Sequence, residues 1–333
     1  MKLSALRVIV VSFFLSLINP LFCTAQELCV YITADGKMKQ VNGMGAVPAQ
    51  FQDTAKCFGS QPKQEFLADP QDVKLSGTVR RELMASSVGR IELRWPRKVE
   101  LLFGRTPQRA MADAATTASR ALKASSFPVD LQKLSLDWSV IFMDEDLPEE
   151  QIPTSLISNC HPAWMTAPAN IYVVAQRVAA GCGGQRNPGT TVADSELAHV
   201  LLHEMGHVIE YQLLKEMQGG DRMRAEGFAS WFEQYASEYS SVVKKGSVKD
   251  SYYAMARAAF SRSDSIQFQG SAEDYAQASM FFAAIVEKKG VGGLMDVYKV
   301  MYEDRITFFE AVKKRLLWDE KRLLQEVKKL LKL

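Results

Sequence analysis

Two histidines spaced four residues apart constrain this chain more than any other feature. They are His203 and His207, in the stretch LAHVLLHEMGHVIEYQ, and they are half of the chain's four histidines. On an α-helix, residues i and i+4 lie on the same face, one turn apart. The same segment carries an apolar stripe suited to a core: Leu197, Leu201, Met205 and Val208. It is therefore predicted to be a helix that presents both imidazoles together.

Such a helix offers a metal ion two nitrogen ligands, and Glu204 lies beside the first of them. A glutamate in that position is close enough to take a proton from a metal-bound water. A chance pattern is a poor explanation, because two of only four histidines fall in it. Two ligands do not complete a catalytic zinc site, which has three protein ligands and an open fourth position for water.

The third ligand is expected from a carboxylate, since no histidine follows His207. The stretch MQGGDRMRAEGFASWFEQYA supplies one. Gly219-Gly220 breaks the chain, Asp221 can cap a new helix, and Glu226 falls in its early turns. Eighteen residues separate His207 from Glu226, enough to end one helix and bring a second alongside it. We expect Glu226 to be the third ligand of one Zn²⁺ ion.

The pattern H-E-x-x-H, eighteen residues and then EGFASWFE resembles the gluzincin zinc metallopeptidases. It is most similar to the peptidase-MA-like branch, which is related through its E-G-F-A signature to the leukotriene-hydrolase and aminopeptidase group. The resemblance covers about residues 196–290. It implies that His203, His207 and Glu226 bind zinc, and that Glu204 is the general base of peptide-bond hydrolysis.

The family also implies a later tyrosine that stabilises the oxyanion. The segment DYAQASMFFAAIVEKKG resembles the one that begins with this tyrosine and ends in a glycine turn, which assigns the role to Tyr275. The residues point the same way: without a histidine after His207, the donor to a tetrahedral intermediate must be tyrosine or arginine. Tyr252 and Tyr253 remain alternatives, and so does a plain packing role for Tyr275.

The chain also departs from the family pattern. It has no G-x-M-E-N segment, and Ala225 stands where the aminopeptidases carry asparagine, which weakens an exopeptidase role. Ser230 occupies the place of an aspartate that orients a ligand histidine in some gluzincins, so that partner is unassigned. The stretch ANIYVVAQ lies where the family has an edge strand that binds substrate as an added strand. A core strand is the alternative.

Two histidines lie outside the H-E-x-x-H pattern. His199 is one turn before His203 on the same face, and it either touches the site or is a core or rim histidine. His161, in NCHPAW, receives no role.

The order of patterns along the chain predicts an α+β fold. We expect a small mixed β-sheet followed by a helical bundle that carries the zinc-binding helix, as in gluzincin or thermolysin-like catalytic domains, over residues 70–333. A small disulfide-bonded β module over residues 26–66 is expected to precede it, with a hairpin around Asp35-Gly36. The stretch TPQRAMADAATTASRALKAS predicts a helix with Thr106 as N-cap and Pro107 in its first position.

The C-terminal stretch EKRLLQEVKKLLKL predicts an amphipathic helix. A basic amphipathic helix can lie on a membrane, but such a face more often packs on its own domain, which is our prediction. The face consists of Leu323, Leu324, Val327, Leu330 and Leu331.

Residues 1–25 predict a secretory signal peptide, because Lys2 and Arg7 precede an apolar run that ends before Ala25. Its removal leaves 38 of the 40 basic residues beside 38 acidic ones. A neutral balance argues against a nucleic-acid partner. No stable membrane span is expected after cleavage. The expected location is the periplasm or the outside of a bacterial cell.

Cysteine usage agrees with export. Four cysteines would follow the signal peptide, an even number in an oxidising compartment. They allow three pairings, and we favour nearest-neighbour pairing because each pair brackets a compact segment. The favoured pairs are Cys29–Cys57 and Cys160–Cys182.

These observations predict a secreted or periplasmic zinc metallopeptidase that acts on a peptide or protein substrate. One alternative is an aminopeptidase-type exopeptidase. The other is a catalytically inactive, zinc-bound module that binds partners in the cell envelope.

Overall fold

The computed structural model of the chain describes residues 28–32, 38–42, 48, 50, 56–58, 75, 77–103, 107–125, 127–129, 136–143, 161–180, 194–215, 221–264 and 268–333. The chain divides into two compact units, Met1–Gln64 and Glu65–Leu333. The predicted signal peptide, residues 1–25, lies outside the described residues.

The unit Met1–Gln64 contains a three-stranded antiparallel sheet in the order β2-β1-β3. The strands β1 and β2 pair along their whole length, so the predicted hairpin is confirmed. Its turn at Asp35-Gly36 lies outside the described residues. The strands are β1, Leu28–Ile32; β2, Met38–Asn42; and β3, Lys56–Phe58.

The pairing of β1 with β3 bears on the predicted cysteine pairs. In the backbone register Cys29 lies directly opposite Cys57. Directly paired residues of antiparallel strands have Cα atoms about 4.5–5.5 Å apart, which is within the span of a disulfide. The register supports the Cys29–Cys57 bridge, which stays a prediction. The second predicted pair, Cys160–Cys182, lies outside the part of the chain that the structure describes.

The unit Glu65–Leu333 is α+β, as predicted. A five-stranded sheet in the order β4-β5-β6-β8-β7 comes first, and helices follow. The inner pairs β5–β6 and β6–β8 are parallel, and the outer pairs β4–β5 and β7–β8 are antiparallel. The strands are β4, Val79–Ser86; β5, Gly89–Pro96; β6, Asp137–Met143; β7, Ala163–Thr166; and β8, Asn170–Val174.

The expected edge strand is an inner strand. The stretch ANIYVVAQ forms β8 only as far as Val174, and β8 lies between β6 and β7. The prediction that it lies at the edge is therefore wrong, and β7 occupies that place. A run of buried apolar residues such as Ile171 to Val174 is typical of a strand that is covered on both faces. The alternative of a core strand is confirmed.

Eight helices are described in this unit, and one of them is interrupted. Gly290 has φ 70° and ψ 175°, so the glycine turn expected after Tyr275 is present inside the long helix α6. The predicted start of α1 at Pro107 is confirmed, and its predicted N-cap, Thr106, lies outside the described residues. The helices are α1, Pro107–Ala124; α2, Ala175–Ala180; α3, Asp194–Leu214; α4, Arg222–Ser237; α5, Ser247–Arg262; α6, Ala272–Asp304; α7, Phe308–Leu316; and α8, Glu320–Leu331.

One apolar core joins a face of the sheet to α1 and the helical bundle. Within it, α3 packs against α1, β7 and α4, and α4 packs in turn against α6. On α8 the side chains of Leu323, Val327 and Leu331 are fully buried, so the prediction that this helix packs on its own domain is confirmed. Among the described residues, no helix is both long and apolar enough to span a membrane.

A buried ion pair ties α3, α4 and α6 together. Arg224 Nη1 of α4 lies 2.7 Å from Glu210 Oε1 of α3, and the Tyr298 hydroxyl of α6 donates to the same oxygen over 2.5 Å. The side chains of Arg224 and Glu210 are 2% and 6% exposed. Because charges so deeply buried are stable only when paired, this contact holds the three helices in one arrangement.

Replacement of the buried cation tests this link. Arg224→Met is expected to lower the free energy of unfolding by about 3–5 kcal/mol, because Glu210 then keeps a buried charge without its cation. Lys299→Met removes a cation from an exposed pair, 70% and 56% exposed, and is expected to change stability by about 0.5 kcal/mol or less. Urea unfolding of the metal-free proteins measures both. Equal losses in the two variants would contradict this account.

Candidate metal centre

The helix α3 positions the two predicted histidine ligands. His203 and His207 lie one turn apart, with ring centroids 5.0 Å from each other. The predicted apolar stripe of the same helix is buried in the core, at Leu197, Leu201, Met205 and Val208. Burial of that stripe fixes the rotation of α3, so both imidazoles are held towards α4.

The helix α4 brings the third predicted ligand to them. Asp221 caps this helix by accepting a hydrogen bond from the Arg224 amide, as expected from the sequence. Glu226 follows in the early turns, and its Oε2 lies 3.3 Å from Nε2 of both His203 and His207. The three ligand atoms lie within 4.8 Å of one another.

Glycines allow this close approach. A Cβ at Gly206 would lie 2.8 Å from the Ala229 Cα of α4, and one at Gly227 would lie 2.7 Å from Phe282 Cε2 of α6. Real Cβ atoms do not come so close to other atoms, since their van der Waals shells would overlap. The α3 and α4 backbones can therefore meet at Gly206 only because this residue has no side chain.

The three side chains fit a metal ion. In a tetrahedral site with bonds of about 2.0–2.2 Å, neighbouring ligand atoms lie about 3.3–3.5 Å apart. The two distances of 3.3 Å from Glu226 Oε2 agree with this spacing. They are long for charge-assisted hydrogen bonds, which are about 2.7–2.9 Å. The group His203, His207 and Glu226 could hold a metal ion.

Charge in the metal-free site points to the same conclusion. Burial works against the charged form of Glu226, but the polar contacts with His203 and His207 and their positive charge hold the pKa of this carboxyl well below its usual range. Burial likewise lowers the pKa of His203, yet Glu226 and Glu233 outweigh it and raise this pKa to about 10. A proton on His203 thus balances the carboxylates, and a bound cation would replace it.

The predicted general base is buried beside this group. Glu204 is 4% exposed, and burial raises the pKa of its carboxyl group, although the neighbouring His207 and His203 offset part of this rise. Within the residues that the structure describes, Glu204 Oε2 has no hydrogen-bond partner. A buried carboxylate oxygen without a partner is costly unless a water or substrate group binds it.

The structure separates Tyr275 from its two alternatives. Tyr275 lies in the first turn of α6, with its ring centroid 5.9 Å from that of His203. A capping box between Ser271 and Asp274 fixes this end of the helix. Tyr252 instead donates its hydroxyl to Glu233 Oε2 over 2.8 Å. The ring of Tyr253 packs under the Lys249 ammonium, 5.2 Å from the ring centroid.

Glu233 also belongs to this site, although the sequence did not predict it. Its Oε2 lies 3.4 Å from His203 Nδ1, and its Oε1 lies 3.1 Å from His199 Nδ1. A carboxylate at the second nitrogen of a ligand histidine fixes the ring and strengthens it as a ligand. Glu233, and not Ser230, contacts His203 in this way. Its position seven residues after Glu226, on the same helix face, is the signal that would have found it.

His199 and His161 are both at the site. His199 contacts Glu233 and is not a member of the group that could hold a metal ion. His161, which received no role, lies with Nε2 3.0 Å from Arg222 Nη2 and with Nδ1 3.5 Å from the Tyr275 hydroxyl. Burial lowers the pKa of His161, and although the charge of Glu226 opposes this, nearby cations lower it further, Arg222 foremost.

Comparison of the chain with models of known protein families gave no match, and neither did comparison with curated proteins.

Addition of one methyl group at the helix contact is expected to loosen the metal site. Gly206→Ala forces α4 away from α3 and so moves Glu226 away from the histidines, which should weaken Zn²⁺ binding by about tenfold or more. Gly292→Ala is the matched control, because its Cβ meets nothing within 4 Å among the described residues. Competition with a chromophoric chelator measures both affinities. Unchanged binding in Gly206→Ala would refute the glycine argument.

Loss of the carboxylate behind His203 is expected to weaken the metal site without removing a ligand. Glu233→Gln should lower Zn²⁺ affinity by about 10- to 100-fold, the usual effect of losing such a partner. Glu287→Gln makes the same change at an exposed position of α6 and should leave the affinity unchanged. The chelator competition applies here as well. Equal affinities in the two variants would show that Glu233 does not act on His203.

Proposed function

We propose that this chain is a zinc metallopeptidase of the gluzincin type, which hydrolyses peptide bonds with Glu204 as general base. The observation that carries the proposal is the position of Glu226 Oε2, 3.3 Å from both histidine Nε2 atoms, beside the buried and unpartnered Glu204 Oε2. Three ligands next to one free carboxylate are the parts that metal-assisted hydrolysis needs.

The donor set favours zinc. Two imidazoles and one carboxylate are the protein ligands of many catalytic zinc sites, and they leave one position open. Calcium and magnesium prefer oxygen ligands throughout. When bound, the ion would supply a Lewis acid that polarises the scissile carbonyl and lowers the pKa of the attacking water.

The side chains of the site divide the remaining work. Glu204 takes a proton from the attacking water as the water oxygen forms the new bond to the carbonyl carbon. Glu204 then gives a proton to the amide nitrogen as the carbon–nitrogen bond breaks, so that a carboxylic acid and an amine leave. Tyr275 donates a hydrogen bond to the carbonyl oxygen while that oxygen carries negative charge. Burial raises the pKa of the Tyr275 hydroxyl well above its ordinary value, so the hydroxyl keeps its proton.

The gluzincin assignment rests on several independent features. The proposed third ligand is a glutamate separated from the second histidine by eighteen residues, on the next described helix. A mixed sheet precedes the two helices that carry the proposed ligands, and Tyr275 lies in the first turn of a helix that is interrupted at Gly290. Export to the periplasm or the cell exterior belongs to the same proposal.

The conservative replacement of the base is the direct test. Glu204→Gln should keep bound zinc and lower kcat for peptide cleavage by about 10²–10⁴-fold, because the amide cannot take the proton. Glu196→Gln changes an exposed glutamate of the same helix and should cleave as well as the wild type. Zinc content and turnover of a broad peptide library are measured for all three proteins.

The results distinguish the proposed mechanism from the two alternative functions. Equal cleavage by Glu204→Gln and wild type would refute the mechanism. A wild type that holds zinc and cleaves nothing would favour the inactive binding module. Cleavage restricted to peptides with a free N-terminus, and absent with blocked ones, would select the aminopeptidase alternative.

A further inference from the structure

The geometry points to His161 and Arg222 as a pair of positioning residues that aim the hydroxyl proton of Tyr275 at the substrate oxyanion. This inference rests on the proposed function and adds two residues to it. The chain of contacts runs from Arg222 Nη2 to His161 Nε2 over 3.0 Å, and from His161 Nδ1 to the Tyr275 hydroxyl over 3.5 Å.

The contact with Arg222 decides which nitrogen of His161 carries a proton. A guanidinium only donates hydrogen bonds, so Nε2 of His161 must accept. An imidazole that accepts at Nε2 is neutral and has its proton on Nδ1. The opposite tautomer would bring two N–H donors together at 3.0 Å, and so would a doubly protonated ring.

The tautomer in turn decides the direction of the Tyr275 hydroxyl. With a proton on Nδ1, His161 donates and the Tyr275 oxygen accepts. The phenolic proton of Tyr275 therefore points away from His161 and is free for another acceptor. The contact of 3.5 Å is at the long end for a hydrogen bond, as is common in catalytic sites before substrate binds.

Several contacts hold Arg222 in the required place. Its guanidinium carbon lies 5.6 Å from the centroid of the Phe268 ring, and a Cβ at Gly270 would lie 3.0 Å from its Nη2. Its Nε lies 3.7 Å from Oε1 of the ligand Glu226, one turn later on α4. Arg177 of α2 fixes the other member of the pair by donating to the His161 carbonyl oxygen over 3.1 Å. The pair is thus held from several elements.

A double-mutant cycle tests whether His161 acts through Tyr275. His161→Phe is expected to lower kcat about tenfold with little change in KM, because the aimed hydrogen bond forms only in the transition state. In the Tyr275→Phe background the same change should cost nothing further. Equal losses in both backgrounds would overturn the proposal and show a role in folding alone.

A conservative variant supplies a rescue. In His161→Asn the amide nitrogen takes the place of Nδ1 and remains a donor to Tyr275. This variant is expected to keep most of the activity that His161→Phe loses, with equal zinc content in both proteins. Equal loss in the two variants would overturn the proposal.

A measurement on the metal-free protein separates this inference from the peptidase activity. Nitrogen-15 NMR of labelled histidine should show His161 neutral with its proton on Nδ1, and Arg222→Met should remove this preference. A proton on Nε2 in the wild type would overturn the inference even if the protein cleaves peptides. Failure of the Glu204→Gln comparison would overturn the peptidase function and leave this tautomer result as it is.

Discussion

One carboxylate oxygen of Glu226 lies 3.3 Å from each of two imidazoles, and this contact exists because the α3 and α4 backbones meet at a glycine. Gly206 lies inside the H-E-x-x-H segment itself, between the two histidines. The same turn of helix therefore carries the two histidines and the glycine surface that lets Glu226 approach them. A side chain at that position would separate the helices and leave two histidines without their carboxylate.

The helix α4 carries two buried charged side chains, Arg224 and Glu226, which lie in different surroundings. The charge of Arg224 is balanced within the fold by the ion pair with Glu210. Glu226, only two residues later, belongs to a group in which Glu204, Glu226 and Glu233 surround two histidines, and a raised pKa on His203 supplies the missing positive charge. The first arrangement stabilises the helix contacts. The second needs a positive charge, from a proton or a cation, and the group His203, His207 and Glu226 could hold a metal ion.

The far side of the site comes from a distant part of the chain. His161 precedes Arg222 by 61 residues and Tyr275 by 114, and it joins them through the segment that leads into β7. The N-terminal ends of α4 and α6 meet there, which is why Arg222 and Tyr275 are neighbours. The strand β7 pairs with β8 and packs on α3. The sheet therefore positions His161 beside α4 and α6, although both helices are distant from it in the sequence.

The short-range spacing of residues determines much of the candidate site and of the order of helices and strands. These features could be predicted from the sequence. The i, i+4 histidines, the Asp221 cap and the early position of Glu226 depend on helix geometry, which acts over a few residues. The α+β order and the hairpin of the first unit follow from patterns of the same short range. The role of Tyr275 was predicted from resemblance to a family, and the structure places its ring next to that of His203.

Only the tertiary structure decided the partners of these residues. Nothing local says that Glu233 meets His203, that His161 lies between Arg222 and Tyr275, or that β8 is an inner strand. Such contacts depend on which elements pack together and at what distance. Here the close approach of Gly206 to Ala229 sets the distance between α3 and α4, and the pairing of β7 with β8 sets the position of β7. The sequence by itself determined which groups each helix presents, because helix periodicity is a local property. Packing determined which groups meet, because it depends on the whole core at once.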